Sequence, residues 1–168
     1  FNTKILKTDF ITYDNLQIAD IMVVYVPLVN INNFMFDRFG SFEYKHSATI
    51  VLNRVLTLEK NSKSAKIYIN IEAFHFEIIY VENNHLKFYN RFDYQTKEDF
   101  IYYLLFTAEQ LQLNPEEIQV VLMGSVNKSN ELYQIAYKYI RHVSLLPKDS
   151  MLYSNDSSSN YFTLLNSL

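Results

Sequence analysis

Between Lys66 and Tyr94 the chain alternates apolar and polar residues in three consecutive runs. Ile67, Ile69 and Ile71 alternate with Lys66, Tyr68, Asn70 and Glu72. Phe74, Phe76, Ile78 and Tyr80 alternate with His75, Glu77, Ile79 and Val81, and Leu86, Phe88 and Phe92 with Lys87, Tyr89, Arg91 and Asp93. A period of two predicts strands. A tight turn is expected near Glu72–Ala73, and Asn83–Asn84 tolerate the positive φ of a hairpin turn. Strands joined this closely form an antiparallel meander.

The period then changes. Thr96 and Asp99 form a capping-box variant, and Phe100, Tyr103, Leu104, Thr107, Ala108 and Leu111 recur at helical spacing up to a stop at Asn114–Pro115. Ile118 to Met123 reads as a buried strand ending at Gly124–Ser125. Ser129 can cap a helix carrying Leu132, Ile135, Ala136, Tyr139 and Ile140. Val143 to Leu146 reads as a short strand stopped by Pro147. The polar stretch 148–160 predicts a mobile loop, and 161–168 a closing helix.

Upstream, the first twenty residues show no firm period, although Phe10 to Tyr13 suits a short strand. Ile21 to Val26 suits a buried strand. After Pro27, Ile31, Phe34, Met35 and Phe39 predict a helix capped by Gly40. Phe42, Tyr44 and His46 alternate with Ser41, Glu43 and Lys45, which predicts a strand. Ser47 can open a helix through Val51, Val55 and Leu58, and the polar residues 59–64 read as a linker.

From Lys66 the order is strand–strand–strand–helix–strand–helix–strand–helix. That predicts an α/β fold with a mixed sheet and helices on its faces. The order matches a ribonuclease H-like half, and two such halves in tandem make an actin-like ATPase architecture. Residues 62–168 read as a second half, and residues 1–61 as the C-terminal part of a first half whose meander is expected upstream of Phe1.

Composition narrows the function classes. A net charge of −3 with no basic face argues against nucleic-acid binding. The chain has no cysteine, which excludes thiolate metal sites and a thiol nucleophile and suits a cytoplasmic setting. No apolar run approaches membrane-spanning length. With two glycines, Gly40 and Gly124, glycine-rich phosphate loops are excluded. Most of the 14 Tyr and 13 Phe fall at core-facing positions, the exceptions being Tyr68, Tyr89 and Tyr94.

Several phrases resemble an uncharacterised bacterial, Bacteroidetes-type family assigned an actin-like ATPase fold. They are Val24-Tyr25-Val26-Pro27, Asn32-Asn33-Phe34, Phe39-Gly40-Ser41-Phe42-Glu43-Tyr44-Lys45-His46, Asp99-Phe100-Ile101-Tyr102-Tyr103-Leu104, Leu122-Met123-Gly124-Ser125 and Tyr161-Phe162-Thr163-Leu164-Leu165-Asn166. The resemblance implies the fold and no established activity.

Proteins of actin-like fold hold Mg²⁺ and phosphate at the first meander turn through an Asp, one residue, then a Gly. Asn70 stands at the Asp position here and Glu72 at the Gly position. Glu72 brings negative charge to where polyphosphate passes. A second nucleotide element, a strand ending in paired small residues, survives in part as Gly124–Ser125. Asn70, Glu72, Gly124 and Ser125 are thus the candidate ligand residues, for ATP and Mg²⁺ if for any cofactor, and no residue is assigned a catalytic or metal-binding role. A two-metal nuclease would draw on Glu72, Glu98, Asp99 and Glu109, but no Asp stands at position 70 or follows Met123. His75-x-Glu77 is a zinc pair lacking a third ligand. The leading expectation is a non-catalytic protein working through a protein partner. The alternative is a divergent ATP-binding or kinase-like enzyme using Asn70, Ser125 and residues upstream of Phe1.

Overall fold

The computed structural model describes residues 9–147. The expected loop at 148–160 and closing helix at 161–168 lie outside the described residues. The elements are β1 (Thr12–Leu16), β2 (Ile21–Tyr25), α1 (Val29–Phe39), α2 (Ser47–Leu58), β3 (Lys66–Ile71), β4 (His75–Glu82), β5 (His85–Asp93), α3 (Lys97–Gln110), β6 (Gln119–Gly124), α4 (Glu131–Tyr139) and β7 (His142–Leu145).

β3 to β7 form one five-stranded sheet in the order β5-β4-β3-β6-β7. β4 runs antiparallel to both β3 and β5, whereas β6 is parallel to β3 and to β7. Local chemistry accounts for its connections. Asn83 and Asn84 take φ of 51° and 63°, as the β4–β5 hairpin requires. The α3 capping box is present: the Asp99 amide donates to Thr96 Oγ1 at 3.1 Å, and the Thr96 amide to Asp99 Oδ2 at 3.0 Å. α3 ends before the expected stop at Asn114, with Gln112 at φ 56°. α4 is capped by Asn130 rather than Ser129, and α2 by the His46 ring rather than Ser47.

Both faces of this sheet are covered, so alternation does not mean burial on one side alone. On one face Ile67, Ile69, Ile71, Phe76 and Ile78 pack with Phe100 and Leu104 of α3 and Ala136 of α4. On the other, Tyr68, Ile79, Val81, Val121 and Met123 pack with Val51, Leu52, Val55 and Leu56 of α2. α2 lies upstream of residue 61 and still supplies that second layer. Tyr68, expected on a polar face, is buried, with its hydroxyl donating to Glu59 at 2.6 Å.

The N-terminal region departs further from expectation. β1 and β2 form a two-stranded antiparallel hairpin through residues 17–20. Residues 41–46, expected as a strand, pair with no strand among the described residues. The order is therefore strand–strand–helix–helix, not strand–helix–strand–helix. β2 is not buried on both faces, since Met22 and Val24 are exposed. Asp14 ties the region together: it accepts from the His46 amide at 2.7 Å, Thr49 Oγ1 at 2.6 Å and the Tyr25 hydroxyl at 3.1 Å. Burial and the hydrogen bond to Asp14 push the Tyr25 phenol up to about 12.

Candidate functional site

In open α/β sheets, ligands approach the carboxyl ends of parallel strands. The parallel pair β3–β6 ends with Asn70 opposite Met123 and Ile71 opposite Gly124. All four sequence-derived candidates, Asn70, Glu72, Gly124 and Ser125, therefore gather at one sheet end. The Ser125 amide donates to the Ile71 carbonyl at 2.7 Å, extending the ladder one residue past β6.

The turn after β3 is tightly held. The Glu72 amide donates to the His75 carbonyl at 2.9 Å, and the Tyr94 hydroxyl donates to the Glu72 carbonyl at 2.9 Å. The Tyr94 amide bonds the Phe74 carbonyl at 3.1 Å. Tyr94, expected on a polar face, is thus partly buried against the turn, and burial raises its pKa. Phe74 itself stands out at the tip, 80% exposed, although the pattern placed it with the core-facing residues.

Asn70 is buried beneath this turn. Its Nδ2 donates to Glu77 Oε2 at 2.9 Å, and Glu77 Oε1 accepts from the Tyr89 hydroxyl at 2.6 Å. Burial, then the negative charge of Glu77 and its hydrogen bond, drive the Tyr89 phenol far above its usual value, so it remains a proton donor. The pattern of residues missed this Asn70–Glu77–Tyr89 chain. One signal was available: Asn70 and Glu77 are direct cross-strand partners once the turn is placed. Glu77 is spent here and not as half of a zinc pair. Among the described residues, no three His, Cys, Asp or Glu side chains gather where they could hold a metal ion. Of the nuclease candidates, Asp99 is spent in the α3 capping box, and Glu109 lies eleven residues beyond Glu98 on that helix, roughly 16 Å along its axis.

Gly124 has φ +84°, and a Cβ there would run into the Ile71 carbonyl oxygen and come within 2.8 Å of Asn70 Oδ1. Backbone packing against β3 therefore accounts for this glycine. Asn70 Oδ1 has no hydrogen-bond partner among the described residues. It faces Gly124 from a side chain only 1% exposed.

These residues do not suit a magnesium polyphosphate. The neutral amide at position 70 is buried and turned to Glu77, and position 72 carries a carboxylate in place of a bare backbone. Phosphate oxygens need converging N–H donors or cations, and a carboxylate repels them.

The fold is similar to that of a Bacteroides thetaiotaomicron protein described as having an actin-like ATPase fold and unknown function. The match has a TM-score of 0.76 at 21% identity and covers 86% of this chain and 56% of that one. This chain thus spans little more than half of that neighbour's length. The likeness shows an actin-like ATPase fold for this chain. No curated protein matches it. Residues 1–143 match the family described as protein of unknown function DUF3822. On that match, which takes in most of its length, the chain belongs to the DUF3822 family.

Proposed function

We propose that this chain is a non-catalytic protein of actin-like fold that acts through protein–protein contacts. One observation carries the reading: the side chain of Asn70 is buried and committed to Glu77, and the turn that follows carries the Glu72 carboxylate where the resemblance leads one to expect a glycine. The turn is thereby a structural element. The exposed Phe74 at its tip and the exposed Tyr102, Phe106 and Tyr137 of α3 and α4 are the kind of aromatic surface on which protein contacts are built. The same proposal takes the protein as bacterial and cytoplasmic and not a nucleic-acid binder, in keeping with the absent cysteine and the net charge of −3. No helix among the described residues is long and apolar enough to cross a membrane.

Calorimetric titration with Mg-ATP tests the reading. The expected result is no saturable heat up to millimolar nucleotide. Micromolar binding by the unmodified protein, weakened by Ser125→Tyr, would overturn it. Gly124 is a poor probe, because any side chain there disrupts the β3–β6 contact regardless of ligand.

The partnerless Asn70 Oδ1 favours a second reading, a divergent ATP-binding or kinase-like enzyme. A rise in melting temperature with Mg-ATP would support it, and its absence in the natural-length protein would count against it.

A further inference from the structure

β5 is one edge of the five-stranded sheet, and among the described residues no strand pairs with its outer side. Its register with β4 shifts only at Tyr80/Val81, so the ladder is regular from Phe88 to Asp93. The Tyr94 amide donates inward, to the Phe74 carbonyl. Alternation then turns the amides and carbonyls of Arg91 and Asp93 outward. The Arg91 amide bonds the Asn90 side chain at 2.9 Å, a local substitute for a strand partner.

Two kinds of side chain stand beside this edge. On the face that α2 covers, Arg91 and Asp93 are neighbours of opposite charge, 3.5 Å apart, with side chains 52% and 82% exposed. On the face that α3 covers, Phe92 stacks on Tyr103 at 4.9 Å. Phe106 follows three residues later on the same side of α3 and stacks on Tyr102, and both rings are exposed. Bulges and like charges ordinarily guard a sheet edge against pairing. Here the bulge is confined to the start of β5, and the two charges beyond it complement a second copy of themselves.

We propose that two copies of this chain pair β5 against β5, antiparallel about a two-fold axis at Phe92, joining their five-stranded sheets edge to edge. In that register Arg91 of each copy lies opposite Asp93 of the other, which closes a ring of four alternating charges. The opposed residues exchange their outward amide and carbonyl bonds, and the Arg91 amide leaves Asn90. Tyr103 holds α3 over Phe92, so the same axis brings the two α3 helices together and covers Phe106 and Tyr102. An axis at Arg91 would set that cation against itself. This pairing rests on the reading that the protein works through protein contacts, and it names the partner. Its test reads mass and not nucleotide heat, so either can fail alone.

Sedimentation of the natural-length protein is expected to show a dimer at micromolar concentration. Asp93→Arg turns the ring into four cations and is expected to raise the dimer dissociation constant at least about tenfold. Its circular-dichroism spectrum should not change, because the side chain is exposed. Phe106→Glu is expected to weaken the dimer about threefold or more. The 168 residues hold no cysteine, so introduced cysteines report the register. Opposed residues at positions 91 and 93 would have Cα atoms ~5.5 Å apart, within disulfide reach, whereas diagonal ones would not. An oxidised mixture of the Arg91→Cys and Asp93→Cys proteins is expected to cross-link about fivefold more than either alone. A monomer at roughly 100 μM overturns the proposal and leaves the edge to a strand of another protein. A dimer that Asp93→Arg and Phe106→Glu leave intact also overturns it, as does a mixture that cross-links no better than its parts.

Discussion

Phe76 and Phe34 are the same side chain in two circumstances. Phe76 on β4 is fully buried, stacked on Phe92 at 5.6 Å and edge-on to Phe100 at 4.9 Å. Phe34 on α1 is mostly exposed. Both were expected to face a core, and both lie in elements of the expected type. The five-stranded sheet has a helical layer on each face, so an inward side chain on either side loses its water. Among the described residues the hairpin has two strands, with α2 packed against β1. Two strands cannot enclose a core. An apolar pattern states which residues favour burial, whereas burial itself needs a second layer.

The contrast can be broken or sharpened by paired substitutions. The largest effect is expected for Phe76→Ala, which removes the centre of an aromatic cluster and should cost about 3–5 kcal/mol in urea unfolding. Phe34→Ala should cost less than about 0.5 kcal/mol in the same chain. Similar losses for the two would mean that α1 is as well packed as β4.

The two glycines give the next comparison, since both have positive φ. Gly124→Ala combines that strain with a collision against the β3 backbone and should cost about 2–4 kcal/mol. Gly40→Ala meets nothing within 4 Å and should cost about 1–2 kcal/mol, the strain of a non-glycine residue at φ 76°, ψ −155° alone. A Gly124 variant as stable as the Gly40 variant would remove the packing explanation for Gly124.

The smallest effect concerns the joint between α2 and the sheet. Burial raises the Glu59 carboxyl, but the hydrogen bonds from Lys66 and Tyr68 and the Lys66 charge act against it, and the net pKa lies below the ordinary 4.5. A depressed folded pKa contributes stability above the unfolded value that is lost as pH falls through the folded one. Stability should therefore decline as pH drops from 4.5 through the lower folded value of this group. In Glu59→Gln that part of the pH profile should flatten. An unchanged acid limb would show that other carboxylates set it.

How far the sequence could be read follows from the range of the interactions. The meander, the Asn83–Asn84 turn and the α3 capping box rest on neighbours a few residues apart, and each lies where the pattern placed it. Residues 41–46 alternate as a strand does, yet a strand exists only through a partner, and none is there among the described residues. The same reason hid the Asn70–Glu77–Tyr89 chain. Glu77 and Tyr89 looked like surface residues of alternating strands until α2 was seen to cover that face of the sheet.

The sequence alone determined the local elements from Lys66 onward, the fold class they imply, and the side chains of the β3 turn, an amide at Asn70 and a carboxylate at Glu72. Those properties follow from backbone preference, side-chain period and charge, all of which act within a few residues. Only the tertiary structure decided that Gly124 serves strand packing, that Asn70 is committed to a buried carboxylate, and that β1 and β2 pair with each other apart from the five-stranded sheet. Each of these depends on what lies opposite across the sheet, and only the folded chain fixes those distances.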